Sequence, residues 1–392
     1  MSHIDLTKLL KVLQGVLPKH RDSIGLHEPH FEGNEWLYAK ECLDTGWVSS
    51  VGKFVDKFEE QLAAYTGVKH AIAVVNGTSA LHICLQLGGV KTDDEVLIPS
   101  MTFVATTNAV SYCGAIPHFV DCDEKTLGLD PYKLGNYLDA IADLRPEGCW
   151  NRQTGRQIKA VVPVHTFGHP VDLEPLLRVC SHFNLALIED AAESLGSFYE
   201  NRHTGNWGLI SALSFNGNKI VTTGGGGAIL TNDMSLGKLA KHITTTAKVS
   251  HAWEISHDRV GYNYRLPNFN AALGCAQLEQ LPKFLASKRS LAAQYERVLQ
   301  GWEGLYYFTE PRFARSNYWL NVLLFDEECA WQRDEFLNLT NSNGIMTRPV
   351  WTPMHKLPMF THHPRMDVSV TESLARRIIN LPSSSFLAEE GS

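Results

Sequence analysis

Three short segments carry side chains that could act together on one small anionic ligand. In the first, Asn76-Gly77-Thr78-Ser79-Ala80 follows the apolar run at 70–75 and opens a helical pattern. Free N–H groups, the positive end of the helix dipole and two hydroxyls would make an anion site there. Taken alone, the segment also reads as an ordinary N-cap by Thr78 or Ser79. In the second, Asp190 ends the run LALIED (185–190) and places a carboxylate beside a helix start. In the third, Ser214 ends SALSF, and Lys219 follows five residues later, ahead of four glycines at 224–227. A lone lysine in a polar turn is ordinarily a solvated surface residue, and an aspartate at a strand end is ordinarily a cap. In this order, however, the three are the parts needed to hold pyridoxal phosphate. The lysine condenses with the aldehyde, the aspartate keeps the pyridine nitrogen protonated so that the ring is an electron sink, and the helix start takes the phosphate. A dinucleotide loop at 224–227 fits poorly, because no G-x-G-x-x-G opens a helix after it.

The elements that must position these residues are legible in the hydrophobic pattern. HAIAVV (70–75), EVLIP (95–99), IPHFVD (116–121), KAVVPV (159–164) and LALIED (185–190) alternate with helical stretches. Apolar strands buried on both faces and joined by helices predict an α/β fold with a mostly parallel central sheet flanked by helices. Ligands in such sheets sit at the carboxyl ends of the strands. After Pro282 the pattern changes to a long helix and then to NYWLNVLLF (317–325), which predicts a smaller C-terminal α+β domain. The expected organisation is an N-terminal helical extension at 1–25, a large domain at 26–285 and a small domain at 286–392, with Pro282 as the break. Residues 150–157 read as a hairpin or loop insertion, and the tail SSSFLAEEGS reads as frayed.

Several stretches resemble one known family, the DegT-type sugar-nucleotide aminotransferases among fold-type I pyridoxal phosphate enzymes. They are GWVSSVGKFVDKFE (46–59), NGTSALH (76–82), PSMTFVATTNAVSYCGAIPHFVD (99–121), PVHTFGHPVD (163–172), IEDAAESLGS (188–197), SFNGNK (214–219) and GYNYRLPNFNAALGCAQLEQL (261–281). The resemblance is nearest to the branch that aminates C4 of a UDP-4-keto-6-deoxy-N-acetylhexosamine, with L-glutamate as donor, for legionaminic acid or bacillosamine. It implies a fold-type I transferase in which Lys219 bonds the cofactor and shuttles a proton, and Asp190 pairs with the pyridine nitrogen. Gly77, Thr78, Ser79 and Ser214 would contact the phosphate, and Phe103 would stack on the ring. Asn263 and Arg265 would reach the cofactor of a neighbouring subunit, so the resemblance implies a homodimer with shared sites. Two positions depart from the family pattern. Glu193 stands where Gln or His is frequent, so its bond to the ring's phenolic oxygen would need a protonated carboxyl or another partner. The four glycines stand where G-E-G-G is frequent, a loop variation of little chemical consequence. Weaker substrate candidates are His165 and His169 in PVHTFGHP, and Trp351, His355 and Lys356 in RPVWTPMHKLP.

Composition narrows the alternatives. A net charge of −7 argues against nucleic acid or an anionic lipid surface as partner. The eight cysteines form no C-x-x-C pair and no Cys/His ligand spacing, so neither a metal site nor a disulfide framework is indicated. No stretch approaches the ~18 apolar residues of a membrane span, and the start lacks a signal-peptide pattern, so a cytoplasmic location is expected. Two competing readings are a nucleotide-sugar 3-dehydratase and a non-catalytic ligand-binding protein of the same fold. The resemblance implies His in place of the lysine for the first, and the second would be expected to have lost Lys219 or Asp190.

Overall fold

The computed structural model describes residues 3–390. Its central sheet carries the strands in the order His70–Val74, Gly227–Thr231, Ile210–Ser214, Ala186–Asp190, Gln157–Val161, Glu95–Pro99, Ile116–Val120. The last five are mutually parallel, and Gly227–Thr231 runs antiparallel to both of its neighbours. Alternate side chains enter opposite apolar layers. Val74, Ala212 and Ile229 pack under the helices Gly77–Leu87 and Met234–Thr244, while Ala73, Leu213 and Ala228 pack with Phe58, Leu62 and Cys275 of the helices Lys53–Thr66 and Asn268–Leu299. Burial of both faces is the reason these strands read as unbroken apolar runs rather than alternating ones. Residues 150–157 form the predicted hairpin, Gly148–Asn151 pairing antiparallel with Gln157–Val161.

Pro282 does not end a helix. It lies inside the single helix Asn268–Leu299, flanked by the buried Leu281 and Phe284. The tertiary packing of that long apolar face outweighs the one hydrogen bond a proline removes. Beyond it, a four-stranded antiparallel sheet is ordered Leu305–Tyr307, Asn321–Phe325, Ile378–Leu381, Arg348–Pro349. The first helix, Leu6–Val16, buries Leu6, Leu9, Leu10 and Leu13 against this unit.

The tail is not frayed within the described residues. Ser383 Oγ accepts from the Asn321 amide at 2.8 Å, Ser384 Oγ accepts from the Glu28 amide at 2.8 Å, and Phe386 and Leu387 are buried beside Phe325 and Phe336. The serines look like solvated loop chemistry in sequence, but their hydroxyls satisfy buried backbone of neighbouring segments instead. Leu387→Ala is therefore expected to lower stability by about 2–5 kcal/mol, the usual range for a buried leucine. Denaturant unfolding checks this, and an unchanged midpoint would return the tail to solvent.

Candidate active site

Strand register builds the site. Val74 and Ser214 both lie level with Gly227, Ala212 lies beside Asp190, and Val164 bridges Asp190 from the other side. The strand ends therefore bring Asn76-Gly77, Asp190 and Ser214 to one edge. The approach is too close for side chains. A Cβ on Gly227 would meet the Asn76 carbonyl carbon at 2.5 Å, and one on Gly77 would meet Ser214 Cβ at 2.9 Å. The helix starts at Gly77, so its N-cap is Asn76 rather than Thr78 or Ser79, with Asn76 Oδ1 accepting from the Ser79 amide at 2.7 Å. The Ser79 amide is thereby committed to the cap; Gly77 and Thr78 line the cavity and Ser79 is not among its lining residues. First-turn N–H groups have no helical carbonyl behind them, which leaves those of Gly77 and Thr78 for an anion.

The cavity so formed measures about 350 Å³ and is lined by Gly77, Thr78, Phe103, Asp190, Glu193, Ser214 and Lys219 among others. Lys219 Nζ lies 3.4 Å from Glu193 Oε1 and 3.7 Å from the centre of the Trp319 ring. Asp190 is 4 % exposed; its Oδ2 accepts from Thr106 Oγ1 at 2.7 Å and its Oδ1 from the Ala192 amide at 3.1 Å. Burial pushes the Asp190 carboxyl above the ordinary aspartate range, against those two bonds and the nearby Lys219 charge. Glu193 accepts from the Phe167 amide at 2.9 Å, and burial raises its carboxyl as well. Phe103 stands half-exposed at the rim, 6.3 Å from the Trp351 ring, which also lines the cavity.

Not every candidate reaches this cavity. His165 is fully buried behind it, Nε2 bonded to Glu189 at 3.0 Å and Nδ1 accepting from the Val171 amide at 3.3 Å, so both ring nitrogens are used within the fold. His169 is enclosed by Phe308 and Tyr318, and burial lowers its pKa to about 3. His355 is likewise committed, its Nδ1 2.7 Å from Ser100 Oγ and its Nε2 2.9 Å from Glu372, and Lys356 shares that carboxylate at 3.1 Å. His165 and His355 follow motif positions near the site, but the fold spends them on anchoring. Asn263 is exposed, and Arg265 bridges Val74 on the outer strand; neither lines the cavity of its own chain. Thr106, Asn218 and Trp319 do line it, and sequence reasoning missed them. Nothing local marks Trp319, which arrives from the small sheet; Asn317 places it, with Oδ1 accepting from the Trp319 amide at 2.7 Å and Nδ2 donating to the carbonyls of Glu193 and Leu195 at 2.9 Å.

These groups fit pyridoxal phosphate. A glycine-tight helix start suits a phosphate, a buried carboxylate that accepts from a hydroxyl and an amide suits a protonated pyridine nitrogen, and one lysine reaches between them. No helix among the described residues is long and apolar enough to cross a membrane, and these residues hold no cluster of three metal-ligating side chains.

The family model described as the DegT/DnrJ/EryC1/StrS aminotransferase family matches residues 30–391. The chain belongs to that family. It is a pyridoxal phosphate-dependent sugar aminotransferase. Among curated members, GDP-perosamine synthase of Caulobacter vibrioides is 38% identical over 372 residues, covering 93% of this chain and 94% of its own. GDP-perosamine synthase of Escherichia coli O157:H7 is 36% identical, covering 94% and 95%. Among solved structures, DesI in the presence of its TDP-sugar product is 27% identical with a TM-score of 0.81, covering 95% of this chain and 91% of that one.

Proposed function

We infer that this family member moves the amino group of L-glutamate to the C4 carbonyl of a nucleotide-linked 4-keto-6-deoxyhexose. The observation that carries the reading is the convergence of Lys219, Asp190 and the Gly77–Thr78 anion cradle on one cavity. The bound cofactor supplies an electrophilic aldehyde and an electron-withdrawing ring. Gly77, Thr78 and Ser214 hold its phosphate, Asp190 holds the charge of its ring nitrogen, and Phe103 covers a ring face. Lys219 Nζ gives and takes the proton at the substrate carbon in each half-reaction. Glu193, whose carboxyl burial raises, would face the ring's phenolic oxygen from the position where Gln or His is frequent.

For the nucleotide, two relatives named GDP-perosamine synthase match over more than nine-tenths of both chains, and they favour a GDP-linked acceptor. A UDP-4-keto-6-deoxy-N-acetylhexosamine bound for legionaminic acid or bacillosamine is the competing acceptor. Incubating the enzyme and glutamate with GDP- and UDP-linked 4-keto and 3-keto sugars, and locating the new C–N bond by NMR, decides the question. A 4-amino GDP-sugar is the expected product; a 3-amino product, or loss of the C3 oxygen without amination, would overturn the reading.

A homodimer completes the proposal. The strip carrying Asn263 and Arg265 lies along the outer strand, and apolar residues stand exposed at Trp36, Leu37, Trp47, Trp253 and Val260. Asn263 and Arg265 complete the partner's site, so mixing Lys219→Ala chains with chains carrying both Asn263→Ala and Arg265→Ala should restore part of the activity that each lacks. One site per mixed dimer would be intact. No recovery after verified subunit exchange argues against a shared site.

A further inference from the structure

Alternate residues of the strip 262–265 do different work. Tyr262 and Tyr264 pack against the apolar layer under the helix Gly77–Leu87 and stack on one another, with ring centres 4.9 Å apart at 22°. Asn263 stands exposed between them, and Arg265 Nε is buried with no hydrogen-bond partner among the described residues. The backbone of the strip is tethered on both sides. The Tyr262 and Tyr264 amides donate to the Ile243 and Thr244 carbonyls at 2.6 and 3.0 Å, and the Val75 amide donates to the Tyr264 carbonyl at 2.8 Å.

His82 and Gln86, one turn apart on that helix, fix the tyrosine side chains. Gln86 Nε2 gives one hydrogen to Tyr262 Oη at 2.7 Å and the other to His82 Nε2 at 3.1 Å. His82 is buried edge-on to both tyrosine rings, and burial holds its imidazole below the ordinary histidine range, so the ring is neutral. With Nε2 accepting, its one hydrogen sits on Nδ1, 3.5 Å from Tyr264 Oη. A single proton arrangement therefore serves Gln86, His82 and both tyrosine oxygens.

Apolar contact is non-directional and would let the stacked rings slide, whereas these bonds set their position along the helix. The clamp also lies far from the anion cradle on the same helix. Gln86 stands about 13 Å beyond Gly77 at the usual rise per residue, and the cradle has its own cap in Asn76. Tyr262 and Tyr264, by contrast, flank Asn263 directly, and Tyr264 adjoins Arg265. Loosening the clamp thus moves the strip before it moves the cradle.

Resting on the shared-site reading above, we propose that His82 and Gln86 are positioning residues for the partner's active site: through Tyr262 and Tyr264 they fix the strip from which Asn263 and Arg265 reach the partner's cofactor. Each site then depends on the clamp of the other chain and not on its own.

The test uses the full chain and the variants Gln86→Leu and Tyr262→Phe, the second sparing the helix if the first fails to fold. Titration of each cofactor-free homodimer with pyridoxal phosphate should show binding about tenfold weaker than wild type, the effect of losing roughly one hydrogen bond. Loaded homodimers should lose about tenfold to a hundredfold in kcat/KM, the scale of a ~1 Å misplacement at a site. The deciding measurement mixes either variant with Lys219→Ala chains, subunit exchange being verified by native mass spectrometry. In a mixed dimer the one intact lysine lies in the chain with the broken clamp, and its strip comes from the Lys219→Ala chain, whose clamp is whole. Activity should return to the level recovered when chains carrying Asn263→Ala and Arg265→Ala are mixed in the same way. Recovery with those chains and none with either clamp variant would mean that the clamp serves its own chain, and would overturn this proposal alone. No recovery in any mixture would overturn the shared site and this proposal with it. Undiminished cofactor binding and turnover in both clamp homodimers would likewise overturn the clamp's role.

Discussion

Lys219→Ala is expected to lower kcat by at least ~10⁴-fold, because it removes both the covalent anchor and the proton carrier at the reacting carbon. The fold should survive the change. The Lys219 ammonium is held by Glu193 at 3.4 Å and by the Trp319 face at 3.7 Å, and losing it leaves a buried carboxylate whose burial already favours the protonated form. Glu193 can therefore take a proton rather than stand as an uncompensated charge. Thermal melts within a few degrees of wild type, with cofactor or its sugar adduct still retained through the phosphate and ring contacts, would agree with this account. Borohydride reduction and peptide mapping of wild type should label Lys219. The other lysine buried nearby, Lys288, donates to the carbonyls of Trp319 and Ser383 and does not line the cavity, so a label there would dismantle the assignment.

Asp190→Asn should lower kcat by roughly 10²–10³-fold, the scale for removing one preorganised electrostatic contact at a site, while leaving the fold intact. The Ala192 donor at 3.1 Å can be met by the amide oxygen and the Thr106 hydroxyl, 2.7 Å from the other carboxylate oxygen, can turn to accept from the amide nitrogen, but an amide cannot balance a cationic ring nitrogen. Stability carries a separate signature. In the cofactor-free protein burial raises the Asp190 carboxyl above its unfolded range, so the unfolded chain gives up that proton first. The stability contributed by the protonated carboxyl is complete below the unfolded pKa and is lost as pH rises through the folded one. Asparagine has no proton to lose. Cofactor-free Asp190→Asn should thus be at least as stable as wild type at neutral pH, and the gain in Tm on adding cofactor should be smaller in the variant. Near-normal turnover, or a cofactor-free variant that unfolds more easily at neutral pH than at pH 4 relative to wild type, would reduce Asp190 to a cap.

The order of chemistry along the chain was decided by sequence alone. An Asn-Gly-Thr-Ser turn, Asp190 and Lys219 each follow a short apolar run, and runs buried on both faces can only be strands of a sheet covered on two sides. The placement of these residues at strand ends was therefore legible, as were the hairpin at 150–157 and the helices on both sheet faces. Tertiary structure decided what distant segments do to one another. His165 and His355 look like substrate contacts beside their motifs, yet Glu189, Ser100 and Glu372, from other segments, absorb their ring nitrogens. Pro282 reads as a break because local hydrogen bonding is all that sequence displays, but apolar packing on both sides carries one helix through it. Trp319 reaches Lys219 from the bend before the strand Asn321–Phe325, in a stretch whose pattern speaks only of a core, through the Asn317 bonds that tie it to 193–195. The tail docks because its serines meet buried amides contributed by residues 28 and 321. Local pattern encodes periodicity and backbone chemistry, whereas the partner that satisfies a polar side chain is chosen by the fold.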